Sequence, residues 1–318
     1  MKKWLSLLVF GALIYLTSTR FKLTNILYAS SCHFAYDNDN YTVTLLILDN
    51  QNANEVVKAK AENIEDVFSK IEDASSLVMN YRHIQSVIFD YSVLNDERLN
   101  AITSFLLNNS MIDFNFYVFA SDCSVDDLFS YKNPTGTSAY YSILNVDDKN
   151  DNSFSYVKPK HFTNFLKRKS DSTLIKIPII GISKEYENTN LKIDGIVCIN
   201  KKKYNVFLKD NYPYLYVFNE FKQSYVRLEE YHAIINTNKI SYSYNDKLVI
   251  RILMEYEGLL NLDNGNEIEA FYLDKVWHLL DEFKKKEIDF FNLEETNILK
   301  NKNYSYDDID IRIEVIKK

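Results

Sequence analysis

Hydrophobic and polar positions fall into alternating runs of period two and period 3.6 along most of the chain. Tyr41-Thr42-Val43-Thr44-Leu45-Leu46-Ile47-Leu48 is rich in β-formers and bounded on both sides by Asp and Asn, which predicts a strand. A helix follows from about Ile64, with Val67, Ile71, Ala74, Leu77 and Val78 recurring at helical spacing. Ser86-Val87-Ile88-Phe89-Asp90 reads as a short buried strand. Asn95 then stands as N-cap, with Asp96 and Glu97 in the first turn, for a helix with the apolar stripe Leu99, Ile102, Phe105 and Leu106. A strand is predicted over Asp113 to Ala120, a helix around His161 to Lys169, and a strand over Leu174 to Ile180. This order of elements predicts a layered α+β unit, and the polar stretch from Ser183 to Asn190 reads as its boundary.

The second half is strand-dominated. Strands are predicted over Leu191 to Ile199 and Tyr204 to Leu208, then near Tyr225 to Ile235, Lys239 to Tyr244 and Lys247 to Tyr256. Asn264-Gly265 is a turn signal, and a long amphipathic helix follows from about Glu267 to Lys286, its last three lysines complementing the C-terminal dipole. Ile309, Ile311, Ile313 and Val315 alternate with Asp310, Arg312 and Glu314 in a final strand. The expected organisation is an N-terminal segment over 1–20, an α+β domain over 21–190, and an α+β region over 191–318 that divides into 191–236 and 237–318 if three units are present.

The one run without either period is the first. Lys2 and Lys3 precede the apolar stretch Trp4 to Leu16, the layout of an export signal. That stretch is shorter than the ~20 residues that cross a hydrocarbon core comfortably, so it reads as a signal peptide or a short membrane anchor. The remainder is then expected on the extracytoplasmic side.

Charge and composition narrow the chemistry. A net charge of −7 offers no basic field for a phosphate backbone, so nucleic acid is not an expected partner. With only 6 Gly and 4 Pro, neither G-x-G-x-x-G nor G-x-x-x-x-G-K-[ST] occurs. Cys32, Cys123 and Cys198 are far apart, with no C-x-x-C pair, and the apolar flanks of Cys198 mark a buried strand residue. His33, His83, His161, His232 and His278 form no metal-binding spacing, and H-E-x-x-H is absent. Asp147 to Asn152 lacks the ligand spacing and glycine of a calcium loop and reads as a solvated connection. Gly181-Ile182-Ser183 lacks the second glycine of a nucleophile elbow, and adjacent acids such as Asp126-Asp127, Glu229-Glu230 and Glu294-Glu295 read as solvated faces. No catalytic residue, cofactor or metal is assigned. The remaining candidate is Tyr212, Tyr214, Tyr216 and Phe218, four aromatic rings in seven residues, read either as an interaction patch or as a short helix capping a sheet with Pro213 in its first turn.

Several local phrases resemble the Ger(x)C, or GerAC-like, family of spore germination proteins. Tyr81-Arg82-His83-Ile84-Gln85-Ser86-Val87-Ile88-Phe89 is similar to the family's aromatic-x-His-hydrophobic phrase entering a buried strand. Leu99 to Asn109 with Ile112 to Ala120 resembles its next helix and strand, and Ser124 to Phe129 the short helix after them. Gly195 to Leu208 resembles the family's glycine, strand, lysine-containing turn and second strand, and Lys247 to Gly258 with the helix before Ile288-Asp289-Phe290-Phe291 continues the likeness. The family's lipidated cysteine has no counterpart: Leu16-Thr17-Ser18-Thr19-Arg20 stands in its place, and Cys32 lies well beyond it. The resemblance implies a multi-domain α+β fold and a non-catalytic, membrane-tethered germinant-receptor C-type subunit. It further implies assembly with membrane-embedded A-type and B-type subunits at the outer face of the spore inner membrane. The rival readings are an exported ligand-binding protein or adhesin using the aromatic patch, and a hydrolase with dispersed catalytic residues.

Overall fold

The computed structural model describes residues 26–48, 54–75, 78–113, 116–130, 175–185, 188–199, 206–208, 214, 217–218, 224–228, 231–258 and 265–318. The N-terminal apolar run, the Asp147 to Asn152 loop and the helix expected around His161 to Lys169 lie outside the described residues. Two sheets organise the chain. Strands β1 (Ile26–Asp37), β2 (Asn40–Leu48) and β3 (Asn54–Ala61) form an antiparallel meander. Helix α1 (Ile64–Ala74) and β4 (Val78–Asn80) lead to β5 (Ser86–Asp90), which runs parallel to β1. Helix α2 (Asp96–Asn108) connects it to β6 (Tyr117–Ser121), parallel to β5. After α3 (Val125–Ser130), β7 (Ile175–Glu185) pairs with β6 and with antiparallel β8 (Asn188–Ile199), and β9 (Val206–Leu208) closes the sheet.

The second sheet holds β10 (Ser224–Leu228), β11 (Tyr231–Tyr244) and β12 (Leu248–Gly258) in antiparallel order. Helices α4 (Asn266–Lys286) and α5 (Leu293–Lys300) then carry the chain to β13 (Ile309–Lys317), parallel to β12. This is the α+β architecture expected from the sequence. Local chemistry accounts for the helix limits. The Asn63 and Asn95 side chains accept from the backbone N–H groups of Asp66 at 2.8 Å and Arg98 at 2.9 Å, occupying donors that each first turn leaves free. Helix α4 ends at Glu287 in the left-handed region, after Lys284, Lys285 and Lys286. At its start, a Cβ on Gly265 would lie 3.0 Å from the Val315 carbonyl oxygen, tighter than ordinary contact, so the close approach to β13 favours glycine there.

Alternation in the strands sorts side chains into separate cores. Phe34, Val43, Leu45, Val87, Phe89 and Val118 point from the first sheet into a core closed by α1 and α2. Leu46, Ile88 and Phe119 point the other way, against Leu128 and Phe129 of α3. The second sheet buries Ile250, Ile252, Met254, Ile311 and Ile313 beneath Tyr272, Val276, Leu279 and Phe283 of α4.

Three readings are corrected. The polar stretch from Ser183 to Asn190 is no boundary: β7 and β8 pair from Ile175↔Ile199 to Glu185↔Asn188, so it lies at the closed end of a hairpin. The first sheet therefore runs to Leu208, and the second begins at Ser224. The run predicted over Tyr225 to Ile235 is two strands, because Leu228 and Tyr231 face each other across a turn, and β11 continues unbroken to Tyr244. Strand β6 begins at Tyr117 rather than Asp113, because the chain is still turning after α2, with the Ile112 N–H donating to the Asn109 carbonyl at 3.2 Å.

The first core is the mechanical centre of the N-terminal half. Phe34 is fully buried between the rings of Phe68 and Phe89, so Phe34→Ala is expected to cost about 3–5 kcal/mol in urea denaturation. Asn95→Ala, which removes only a cap, is expected to cost about 1 kcal/mol in the same measurement.

Candidate functional site

The hairpin β7–β8 has a second apolar face, and there the two sheets meet. Ile177, Ile179, Val197 and Ile199 belong to the first core, whereas Ile196 and Cys198 pack with Val217, Phe218, Phe283 and Phe290 of the second. Lys176 is opposite Cys198 in the register and shares that face. Its ammonium lies 3.6 Å from the centroid of the Phe290 ring, which itself stacks on Phe283 at 4.7 Å. A cation held against an aromatic face keeps some favourable electrostatics after losing water. The compensation is incomplete, and desolvation pulls the Lys176 pKa down to about 8. Burial likewise pushes the Cys198 thiol up to about 12, although Lys176 and Lys286 oppose that shift. Nearby, the Tyr306 hydroxyl donates to the Ile288 carbonyl at 2.5 Å and accepts from the Phe290 N–H at 2.9 Å, which fixes the turn carrying Phe290.

The described residues of the expected aromatic patch, Tyr214 and Phe218, lie in this seam. Phe218 is 7% exposed, with ring centroids 5.4 Å from Phe290 and 5.2 Å from Phe291, and Val217 is fully buried. Tyr214 is half-buried against Phe271 at 6.1 Å. At these two positions the rings serve the second core rather than an exposed patch, because Tyr214 packs onto α4 and Phe218 onto the Phe290-Phe291 turn. Tyr212 and Tyr216 lie outside the described residues. The buried Asn238 side chain donates to the Val217 carbonyl at 2.7 Å and ties the segment to β11.

A second polar feature crosses the first sheet. Lys58, Thr44, His33, Ile88 and Phe119 are paired in sequence across β3, β2, β1, β5 and β6, so they form one row on one face. His33 is 3% and Thr44 1% exposed, and both imidazole nitrogens and the threonine hydroxyl lack a hydrogen-bond partner among the described residues. Desolvation holds the His33 pKa down at about 4, with Asp90 opposing and Lys58 adding to that shift. Beside this row, Ser31 and Ser86 share a hydrogen bond of 2.7 Å, and the Ser121 hydroxyl donates to the Ile180 carbonyl at 2.9 Å.

The other histidines are scattered. His83 is exposed, its ring edge-on to Tyr28 at 5.0 Å, and His278 lies on the exposed side of α4 with its Nε2 3.5 Å from Asp274. The side chain of His232 and all of His161 are outside the description. Cys32, Cys123 and Cys198 are free thiols, and Cys198 is buried as its flanks predict. Among the described residues no cluster of three metal-ligating side chains occurs. A cleft of about 580 Å³ opens between the start of α1 and the end of α2, lined by Tyr41, Asn63, Glu65, Ser104, Phe105 and Asn108 among others, with no histidine or cysteine.

A family model described as the spore germination protein N-terminal domain matches residues 20–182, just over half of the chain. The chain belongs to the GerAC-like family of spore germination proteins. Among solved structures, the crystal structure of the GerBC protein is similar at 13% identity and a TM-score of 0.50, covering 90% of this chain and 96% of that one. No curated protein matches the chain. The GerAC-like match ends inside β7, one strand short of the residues that complete the first core, and the likeness to GerBC extends the shared fold through the second sheet. In this family member the sequence resemblance reaches part of the seam, through Gly195 to Leu208 and Ile288 to Phe291, but not Lys176, whose ring partner Phe290 is distant in sequence. The available signal was Lys176 standing between Ile175 and Ile177 in the apolar first part of β7, opposite Cys198 in the register.

Two pH effects follow. For His33, the folded pKa near 4 lies below the ordinary 6.5, so the unfolded chain binds the extra proton first. Stability is present above about pH 6.5 and is lost as the pH falls toward 4, by up to about 3 kcal/mol; His33→Leu is expected to flatten this part of a denaturation-versus-pH curve. For Lys176, the folded pKa near 8 lies below the ordinary 10.5, so stability rises as the pH climbs from about 8. The raised thiol of Cys198 acts oppositely from about pH 9, where the unfolded thiol ionises first. The rise is therefore expected between about pH 8 and 9, of order 1 kcal/mol, and Lys176→Met is expected to abolish it while raising stability at pH 7.

Proposed function

We propose that this GerAC-like protein is a C-type subunit of a spore germinant receptor that works by assembly, without catalysis, on the outer face of the spore inner membrane. The observation that carries this reading is the family match over residues 20–182 on a fold shared with GerBC over 90% of the chain. Its partners are the membrane-embedded A-type and B-type subunits, and the apolar N-terminal run, with Lys2 and Lys3 before it, serves as the tether in place of a lipidated cysteine. Among the described residues no helix is long and apolar enough to cross a membrane, so in this reading the tether belongs to residues 1–20. Among the described histidines, His33 is buried without a hydrogen-bond partner, while His83, in the turn before β5, and His278, on α4, are exposed and far apart in the fold, which supports a non-catalytic role.

The test uses spores of the native host. Deletion of residues 1–20 is expected to move the protein from the membrane to the soluble fraction and to abolish its co-purification with the A-type and B-type subunits. Removal of the whole chain is expected to slow germination with one class of germinant. Full membrane retention of the truncated chain would refute the tether, and unaltered germination without the chain would refute the receptor role.

A further inference from the structure

The second sheet exposes an unusual group of side chains at one end. Ile298 and Leu299, adjacent in the last turn of α5, are each 74% exposed, while Leu293 at the start of the same helix is buried. Asn301 ends the helix in the left-handed region, and the Asn297 side chain donates to the Tyr304 carbonyl at 2.8 Å and accepts from the Tyr304 N–H at 2.7 Å. The Tyr304 hydroxyl in turn donates to the Asn245 carbonyl at 2.6 Å, which pins the end of α5 to the tip of the β11–β12 hairpin. Lys300 lies 5.5 Å from the ring of Tyr244, and Tyr242, two residues along β11 on the same side, is 45% exposed. Lys247 and Lys302 bring further positive charge to this corner, and Asp246, Asp307 and Asp308 lie in the same two turns, Asp307 being paired with Lys284 of α4.

Two exposed aliphatic side chains, two tyrosines and three lysines are the composition of an interfacial membrane contact. Aliphatic side chains enter the acyl boundary, tyrosines settle at headgroup depth, and lysines extend to lipid phosphates. We infer that this corner docks on the surface of an anionic bilayer, holding the second sheet against the membrane to which the chain is tethered. The inference deepens the tethered-subunit reading and rests on it. A contact this small is weak alone, but an anchored chain has a high effective concentration at the membrane and needs no strong site. The hydrogen bonds through Tyr304 matter because they hold the aliphatic pair outward on a rigid support instead of letting it fold back onto the sheet.

The test places an environment-sensitive fluorophore on Leu299→Cys of the full chain in a Cys123→Ser background, Cys32 and Cys198 being buried. The labelled protein is mixed with vesicles of phosphatidylcholine with or without phosphatidylglycerol. A blue shift, with quenching by brominated acyl chains, is expected on the anionic vesicles. A probe on the exposed Glu62→Cys should show neither. Combining Lys300→Glu with Lys302→Glu is expected to weaken the quenching at least about fivefold, as is salt near about 0.5 M. A chain that sediments with vesicles while its probe stays unshifted overturns the inference and leaves the tether intact. A chain that fails to sediment overturns both. A blue shift without vesicles shows that a second copy covers the corner, and also overturns the inference.

Discussion

The β7–β8 hairpin carries a constraint on which the rest of the molecule depends: its two faces pack into different cores, one into the first and the other into the second and into the cluster around Leu128 and Phe129. Ile177 and Val197 fill the first core, and Ile196 and Cys198 the second, so a one-residue slip in register would exchange the two sets. Pro178 makes the position harder to hold. It removes a backbone donor from the strand interior, and the ladder between β6 and β7 contains a single residue pair, Ala120↔Ile179. The Ser121 hydroxyl donating to the Ile180 carbonyl supplies a side-chain bond just beyond that pair. Long antiparallel pairing with β8 therefore secures β7 more than its parallel neighbour does.

Strand β1 works under a similar demand with different residues. It lies between β2 on one side and β4 and β5 on the other, and carries Ser30, Ser31 and His33 into buried positions. Ser30 sits at the irregularity in its pairing with β2, where its hydroxyl donates to the Leu46 carbonyl at 3.0 Å, and Ser31 is satisfied by Ser86. His33 and Thr44 face each other without such partners, a cost of order 1–3 kcal/mol for each unsatisfied group. Apolar packing on the opposite face, through Cys32 and Phe34, must offset it.

These two strands also mark what the sequence made legible. Helices α1 and α2 are readable because their asparagine caps and apolar stripes agree, and β5 because its apolar run is bounded by polar residues at both ends. Strand β1 escapes notice because Ala29 to Phe34 are buried on both faces while Ser30, Ser31 and His33 interrupt the apolar positions, so neither an alternation nor an apolar run marks it. Strand β3, Asn54–Ala61, is a lysine-bearing edge strand, and α5 is too short and too exposed to present an apolar stripe. At the seam, the cation and its aromatic partner are 114 residues apart in the numbering from Lys176 to Phe290, a separation at which local pattern carries no information. The aromatic cluster is legible in the sequence, but the packing of Tyr214 and Phe218 is set by α4 and the Phe290-Phe291 turn, which only the fold brings to them.

The family's N-terminal match and the chain's physical units divide in different places, and the difference bears on how the protein works. The match ends at residue 182, within β7, yet Val197 and Ile199 of β8 are part of the first core. A module cut at that point would leave β7 without its longest partner and would expose one side of the core. The hydrophobic face left by Ile196 and Cys198 would in turn be open unless the second sheet covered it. Burial on both faces thus makes the second sheet a requirement of the first rather than an appendage. A force or contact applied to the second sheet has a short route to the first through Phe290, Lys176 and the strand that carries it.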